Sequence, residues 1–215
     1  MKKIVSWALV FVMIVALFAG CASSATDQEK LVGTWKGEMD LTKAMKEEMG
    51  EELAGFELND FKVTVVFTFT EEGTYKMELD EASVEQAVDG LIESMEGFMK
   101  TMMEEQAKEL GMSLDDLLAA SGMTMEDMMS LVTEALEGQD LVGELVEKAK
   151  TEGKYKAENG KLFNNNSVDE EIDESVYDTY TLDGDVLTLT ATFGGDEDDA
   201  DMMKSVYPII LKKAS

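Results

Sequence analysis

Between Phe61 and Leu79 apolar and polar side chains alternate with a period of two, and this pattern more than any other limits the fold. Phe61, Val63, Val65, Phe67 and Phe69 alternate with Lys62, Thr64, Thr68 and Thr70, with Val66 alone out of pattern. After Glu71-Glu72-Gly73 the alternation resumes, with Tyr75, Met77 and Leu79 set against Thr74, Lys76 and Glu78. A period of two sends one face of a strand to a core and the other to water, so the segment reads as an antiparallel hairpin. The same signature returns after residue 153. Tyr155 and Ala157 lead into Asn159-Gly160, a strong hairpin turn, and Leu162-Phe163 answers them. Tyr177 to Leu182 and Val186 to Phe193 flank Asp183-Gly184-Asp185, with Leu187, Leu189, Ala191 and Phe193 assigned to the inner face. A first strand from Leu31 through Lys36 and a last one from Val206 to Lys212 bring the number to eight. Eight hairpin-linked strands close into a barrel that is either filled by side chains or holds one small ligand. Pro208 falls inside the last of them, which predicts a sheet edge and an opening there.

A helical segment separates the two strand-rich regions. Leu41, Met45, Met49 and Leu53 already mark a short helix after the first strand, and residues 81–151 form a long helical insertion between the third and fourth strands. Val84, Val88, Leu91, Met95, Phe98 and Met102 are spaced as one amphipathic seam that must be buried against a partner surface. Gly111-Met112-Ser113-Leu114-Asp115-Asp116 reappears eleven residues later as Gly122-Met123-Thr124-Met125-Glu126-Asp127. In each copy Gly ends one helix in a left-handed conformation, Ser or Thr caps the next, and carboxylates occupy its first turn. The repeat therefore marks helix restarts. A further break is expected near Gly138 or Gly143, and docking of the insertion over one mouth of the barrel as a cap.

Charge and composition exclude much chemistry. All 18 basic residues are Lys, there is no His, and the formal net charge is −28. Nucleic-acid binding, which draws on clustered Lys and Arg, is excluded. Without His there is no Ser-His-Asp triad, no Cys-His pair and no His-ligated zinc. Carboxylates are too abundant for any pair to be nominated as a glycosidase couple, so no catalytic residue is assigned and no enzyme is expected. No cofactor and no metal are expected either. Nine of the 17 methionines lie between Met95 and Met129. Met99-x-x-Met102 and Met125-x-x-Met128 offer soft thioethers to copper(I), but with neither His nor a free Cys beside them, core packing is the preferred reading. Asp169 to Glu174 and Asp196 to Asp201 read as solvated acidic runs, the second lacking the Gly and bidentate Glu of a calcium loop.

At the N-terminus Lys2 and Lys3 precede an apolar run from Ile4 to Phe18, then Ala19-Gly20 and Cys21. The run is short of the ~20 residues a membrane span requires and is followed by polar residues, so 1–20 reads as a signal peptide. Cys21 is the only cysteine and has no internal partner for a disulfide. Leu17-Phe18-Ala19-Gly20-Cys21 resembles the bacterial lipobox, which implies acyl chains, palmitate among them, on Cys21. Residues 21–30 would then be a lipidated linker on the extracytoplasmic face of a membrane, a Gram-positive surface being favoured over an outer membrane.

Gly33-Thr34-Trp35, the helical stretch after it and the eight-strand meander resemble the lipocalin and fatty-acid-binding superfamily, and more closely the lipocalin-like lipoproteins of Gram-positive bacteria. The resemblance covers Leu31 to Leu79 and Gly153 to Lys212. It implies that Gly33 and Trp35 close one end of the barrel with a basic residue across the indole, here Lys212 or Lys213. Residues 31–215 are accordingly read as one α+β domain, an eight-stranded antiparallel lipocalin-like β-barrel with the helical insertion at 81–151. The expected function is binding of a small apolar ligand by residues not yet identified. A protein-interaction module with a side-chain-filled barrel is the alternative, and Trp35, Phe61, Phe67, Phe69, Tyr75 and Phe193, which would crowd a small barrel, favour it.

Overall fold

The alternating segments form eight antiparallel strands: β1 Gly33–Asp40, β2 Lys62–Phe69, β3 Thr74–Leu79, β4 Thr151–Glu158, β5 Lys161–Asn164, β6 Tyr177–Asp183, β7 Val186–Phe193 and β8 Ile209–Lys213. The structure is a computed structural model and describes residues 26–49, 56–137, 140–194 and 204–214. Each strand pairs with its neighbours in sequence, and β8 pairs back onto β1, so the sheet is a closed barrel. The opening expected at Pro208 does not occur. Pro208 stands just before β8, where its missing N–H costs the ladder nothing, and Trp35 to Glu38 pair in register with Lys213 to Ile210. Gly37 makes this closure close-fitting, because a Cβ there would lie 2.1 Å from the carbonyl oxygen of Ile210.

The first strand starts two residues later than its apolar pattern suggests. Asp27–Leu31 is instead a one-turn helix, α1, whose capping box joins the Thr26 hydroxyl to the Glu29 backbone and the Glu29 carboxylate to the Thr26 backbone. Leu31 is fully buried and α1 packs on β4, so part of the segment read as a linker stops the barrel at one end. Gly33 then turns the chain into β1 at φ 127°, a conformation that side-chain-bearing residues rarely adopt.

The two rims differ in their connections. At the Trp35 rim the β2–β3, β4–β5 and β6–β7 links are tight turns, including Asn159 and Gly160 at φ 54° and 74°. At the opposite rim every link is long: 41–61 with helix α2 (Thr42–Met49), the insertion after β3, 165–176 and 194–208. The insertion comprises α3 Glu81–Glu109, α4 Leu114–Ser121, α5 Met125–Glu137 and α6 Leu141–Ala149. Gly111 and Gly122 have φ of 72° and 73°, and the Ser113 and Thr124 hydroxyls accept from the Asp116 and Asp127 amides, so both restarts form by the local chemistry their sequences carry. The later break falls before Leu141, and Gly143 lies inside α6, donating its N–H to Asp140.

The insertion sits on the rim of long connections. Val84, Ala87 and Val88 of α3 form a cluster with Leu58, Phe61 and Val63, and Met39, Leu41 and Leu79 touch both this cluster and the barrel core. Two serines fasten the helix: Ser83 Oγ accepts from the Thr64 amide at 2.8 Å and Ser94 Oγ from the Asn59 amide at 3.0 Å. Burying each valine, leucine or phenylalanine of the cluster contributes about 1.5 to 3 kcal/mol. The seam is shorter than its periodicity suggests, since Met102 is 52% exposed. The α3 residues in this cluster, Val84 to Ile92, lie in its first half, and α3 also packs on α4, α5 and α6. Leu53 of the predicted short helix, Gly138, the 1–20 segment and Cys21 lie outside the described residues. Among the described residues no helix is long and apolar enough to cross a membrane.

Candidate ligand cavity in the barrel

A single extra residue in β7 shapes the barrel interior. Opposite β6, Leu182 faces Leu187 and Tyr180 faces Leu189, but Thr179 faces Ala191 and Asp178 faces Thr192, so Thr190 is a bulge between them. A bulge shifts strand parity by one and re-aims every side chain beyond it. Strict alternation would send Ala191 and Phe193 inward. Instead Thr192 points in and Phe193 is 47% exposed, stacked on Tyr177 with ring centroids 5.2 Å apart.

The barrel consequently holds a cavity of about 380 Å³ toward the rim of long connections. Most of its wall is apolar, with Met39, Val65, Phe67, Met77, Leu189 and Ile209 among the lining side chains. One part is polar. Asp178 Oδ1 accepts from Tyr207 Oη at 2.8 Å and from Thr192 Oγ1, and Oδ2 accepts from Asn164 Nδ2 at 3.3 Å. Tyr207 Oη and Thr192 Oγ1 are 2.7 Å apart, and Tyr75 Oη donates to Asn166 Oδ1 at 2.9 Å. Burial pushes the Asp178 carboxyl above the ordinary carboxylate range and outweighs the three donors that favour its charged form. Tyr75 is pushed up to about 12, first by burial and then by the charge on Asp178, and Tyr207 is raised by the same two causes. These groups offer a fixed hydrogen-bonding patch in an apolar chamber. They contain no nucleophile paired with a base.

Sequence reasoning did not single out Asp178, Thr192, Tyr207 or Asn164. One signal was available: Asp178 shares its strand face with Tyr180 and Leu182, an acidic residue at an inward position. The aromatic crowding expected inside the barrel does not arise. Phe61 belongs to the cluster under α3, Phe193 faces outward, and Phe67, Phe69 and Tyr75 line the cavity without filling it. Trp35 is fully buried at the opposite end, its indole N–H donating to the Leu31 carbonyl at 2.7 Å. Lys213, paired in register with Trp35, lies with Nζ 5.1 Å from the ring centroid, and Gly33 backs onto the same lysine. Lys212 is not the residue across the indole, since alternation along β8 sends it outward with Ile210, opposite Lys36.

The other segments weighed in the sequence distribute without convergence. Of the clustered methionines Met129 is buried, Met102 and Met112 are exposed, and the rest are half-buried, so core packing accounts for only some of them. Asp169 to Glu174 is mostly exposed, with Glu174 bonded to Lys156 at 2.7 Å, and 196–201 lies outside the described residues. Comparison with family models, with curated proteins and with solved structures finds no match to this chain.

Proposed function

We propose that the protein is an exported bacterial lipoprotein, anchored through acyl chains on Cys21, that binds a small, largely apolar ligand inside its lipocalin-like barrel without catalysing a reaction. The cavity carries this reading. Its volume of about 380 Å³ falls within the ~300 to 1,000 Å³ of small-molecule sites, and its wall combines apolar surface with a few convergent polar groups. A barrel filled by side chains, the premise of the interaction-module alternative, is at odds with that space. The charged n-region, the apolar run and Ala19-Gly20 before Cys21 support the anchor, because two or more acyl chains hold a protein on a membrane where one does not.

Native mass spectrometry of protein purified from its own host tests the binding role. The expected spectrum contains a species heavier by one small molecule, and Met77→Trp, which places an indole into the cavity, removes it. An unliganded spectrum from the unmutated protein, or the same adduct retained by Met77→Trp, overturns the reading.

A further inference from the structure

Among the described residues the cavity wall contains a carboxylate and no base. Among the described residues Asp178 forms no ion pair, and none of the residues that line the cavity is a lysine. Asp178 is half-buried, and a carboxylate withdrawn from water is costly to the extent that no cation or donor meets it. The donor set here is incomplete. An ionised carboxyl offers about four acceptor positions. Oδ1 uses two of them on Tyr207 and Thr192, but among the described residues Oδ2 has only the 3.3 Å contact from Asn164, at the long end for an amide donor. Asp178 lines the cavity together with Tyr75 and Tyr207.

We propose that the cavity selects cationic amphiphiles, small molecules whose protonated amine pairs with Asp178 Oδ2 while an apolar ring or chain lies against Val65, Met77 and Leu189. This rests on the reading of the barrel as a ligand site and adds the charge class of the ligand. An amine supplies the missing countercharge and donors together, and charge-assisted hydrogen bonds of this kind are about twice as strong as neutral ones. Aromatic rings line the same cavity, and the quadrupole of a ring attracts a cation placed over its face. An anionic amphiphile such as a fatty acid would face Asp178 with a like charge and no lysine among the described lining residues to offset it. The net charge of −28 adds a field that draws cations toward the protein and repels anions.

A matched set of probes tests the charge class on the full chain: phenethylamine, phenethyl alcohol and hydrocinnamate, with dissociation constants from calorimetry at neutral pH. The amine is expected to bind about tenfold or more tightly than the alcohol, and the anion more weakly than either. Raising ionic strength from about 0.01 M to about 1 M shortens the Debye length from about 30 Å to about 3 Å, so adsorption to surface carboxylates would vanish while a pair inside the cavity persists. Asp178→Asn is expected to bring the amine down to the alcohol. Should that variant fail to fold, the salt series on the unmutated protein decides alone. Equal binding of amine and alcohol overturns the charge class and leaves the cavity reading standing; binding of none of the three overturns both. An amine preference that disappears at high salt, or that a folded Asp178→Asn retains, assigns the attraction to the acidic surface and overturns the proposal.

Discussion

Thr192 stands directly opposite Asp178 across the β6–β7 pair and donates its hydroxyl to Asp178 Oδ1, an arrangement that exists because Thr190 bulges out of the ladder two residues earlier. The bulge exchanges an apolar inner residue for a hydroxyl opposite a half-buried carboxylate. Thr190 itself is held on the outside, its hydroxyl 2.8 Å from that of Thr179. Thr192→Val keeps the shape and removes the donor, so it is expected to lower stability by about 1.5 to 3 kcal/mol at neutral pH. The loss should shrink once acid protonates Asp178. Denaturant titrations at neutral and acidic pH check this, and a loss independent of pH would show that the hydroxyl serves packing instead.

Asp178 should impose a pH dependence of definite sign. Its carboxyl titrates above the ordinary range in the folded protein because burial disfavours the charge. Such a group stabilises the fold below its unfolded pKa, and that contribution is lost as pH rises through the folded pKa. Asp178→Asn, neutral throughout, should therefore gain stability relative to the unmutated protein as pH rises through the carboxylate range toward neutrality. Midpoints of unfolding for the two proteins measured side by side over that range would contradict the assignment if the gap moved the other way.

At the other end of the barrel, Trp35 and Lys213 differ in weight. Trp35 is fully buried and donates to Leu31, so Trp35→Ala is expected to cost about 3 to 5 kcal/mol. Lys213 is exposed, and the attraction of its ammonium to the ring is worth about 0.5 to 1 kcal/mol. Lys213→Ala should lose no more than that. Lys212→Ala, on the outer face, should lose nothing measurable. Denaturant unfolding of the three variants separates them, and equal effects of the two lysine changes would show that the cation over the indole is energetically silent.

For the anchor, Cys21→Ala is expected to release the protein from membranes, since no other residue in the sequence offers a thiol for acylation. Fractionation of cells expressing either form reads this out. Persistence of the variant in the membrane fraction to the same extent as the parent would remove the lipoprotein reading while leaving the barrel untouched.

What was legible in the sequence was local. Strands β2, β3, β4 and β7 as far as Leu189 follow the period-two alternation, and the helix restarts at Ser113 and Thr124 follow from capping groups within three residues of their partners. Lys213 was legible in part: it shares strand parity with Ile209 and Leu211, which are both buried, whereas Lys212 does not. Phe193 misled because alternation carries no mark of a bulge, and Leu31 misled because an apolar residue before a strand serves equally well as the buried end of a helical turn. The polar cluster left no comparable trace. Its members lie 14 to 29 residues from Asp178 along the chain, and each is an ordinary Asn, Thr or Tyr in its own segment.

By itself, then, the sequence determined the kinds of element, their order, the tight turns and caps, and the excess of acid over base, because each depends on neighbours a few residues apart. Tertiary structure alone decided that β8 closes on β1 through the glycine gap at Gly37, that Thr190 turns the inner face of β7, and that Asp178 meets Thr192, Tyr207 and Asn164 around an unfilled space. Those outcomes depend on strand register and on the match of volumes across the barrel. Register is a relation between strands, set by hydrogen bonds and packing that form only when distant segments come together, and no single segment contains it.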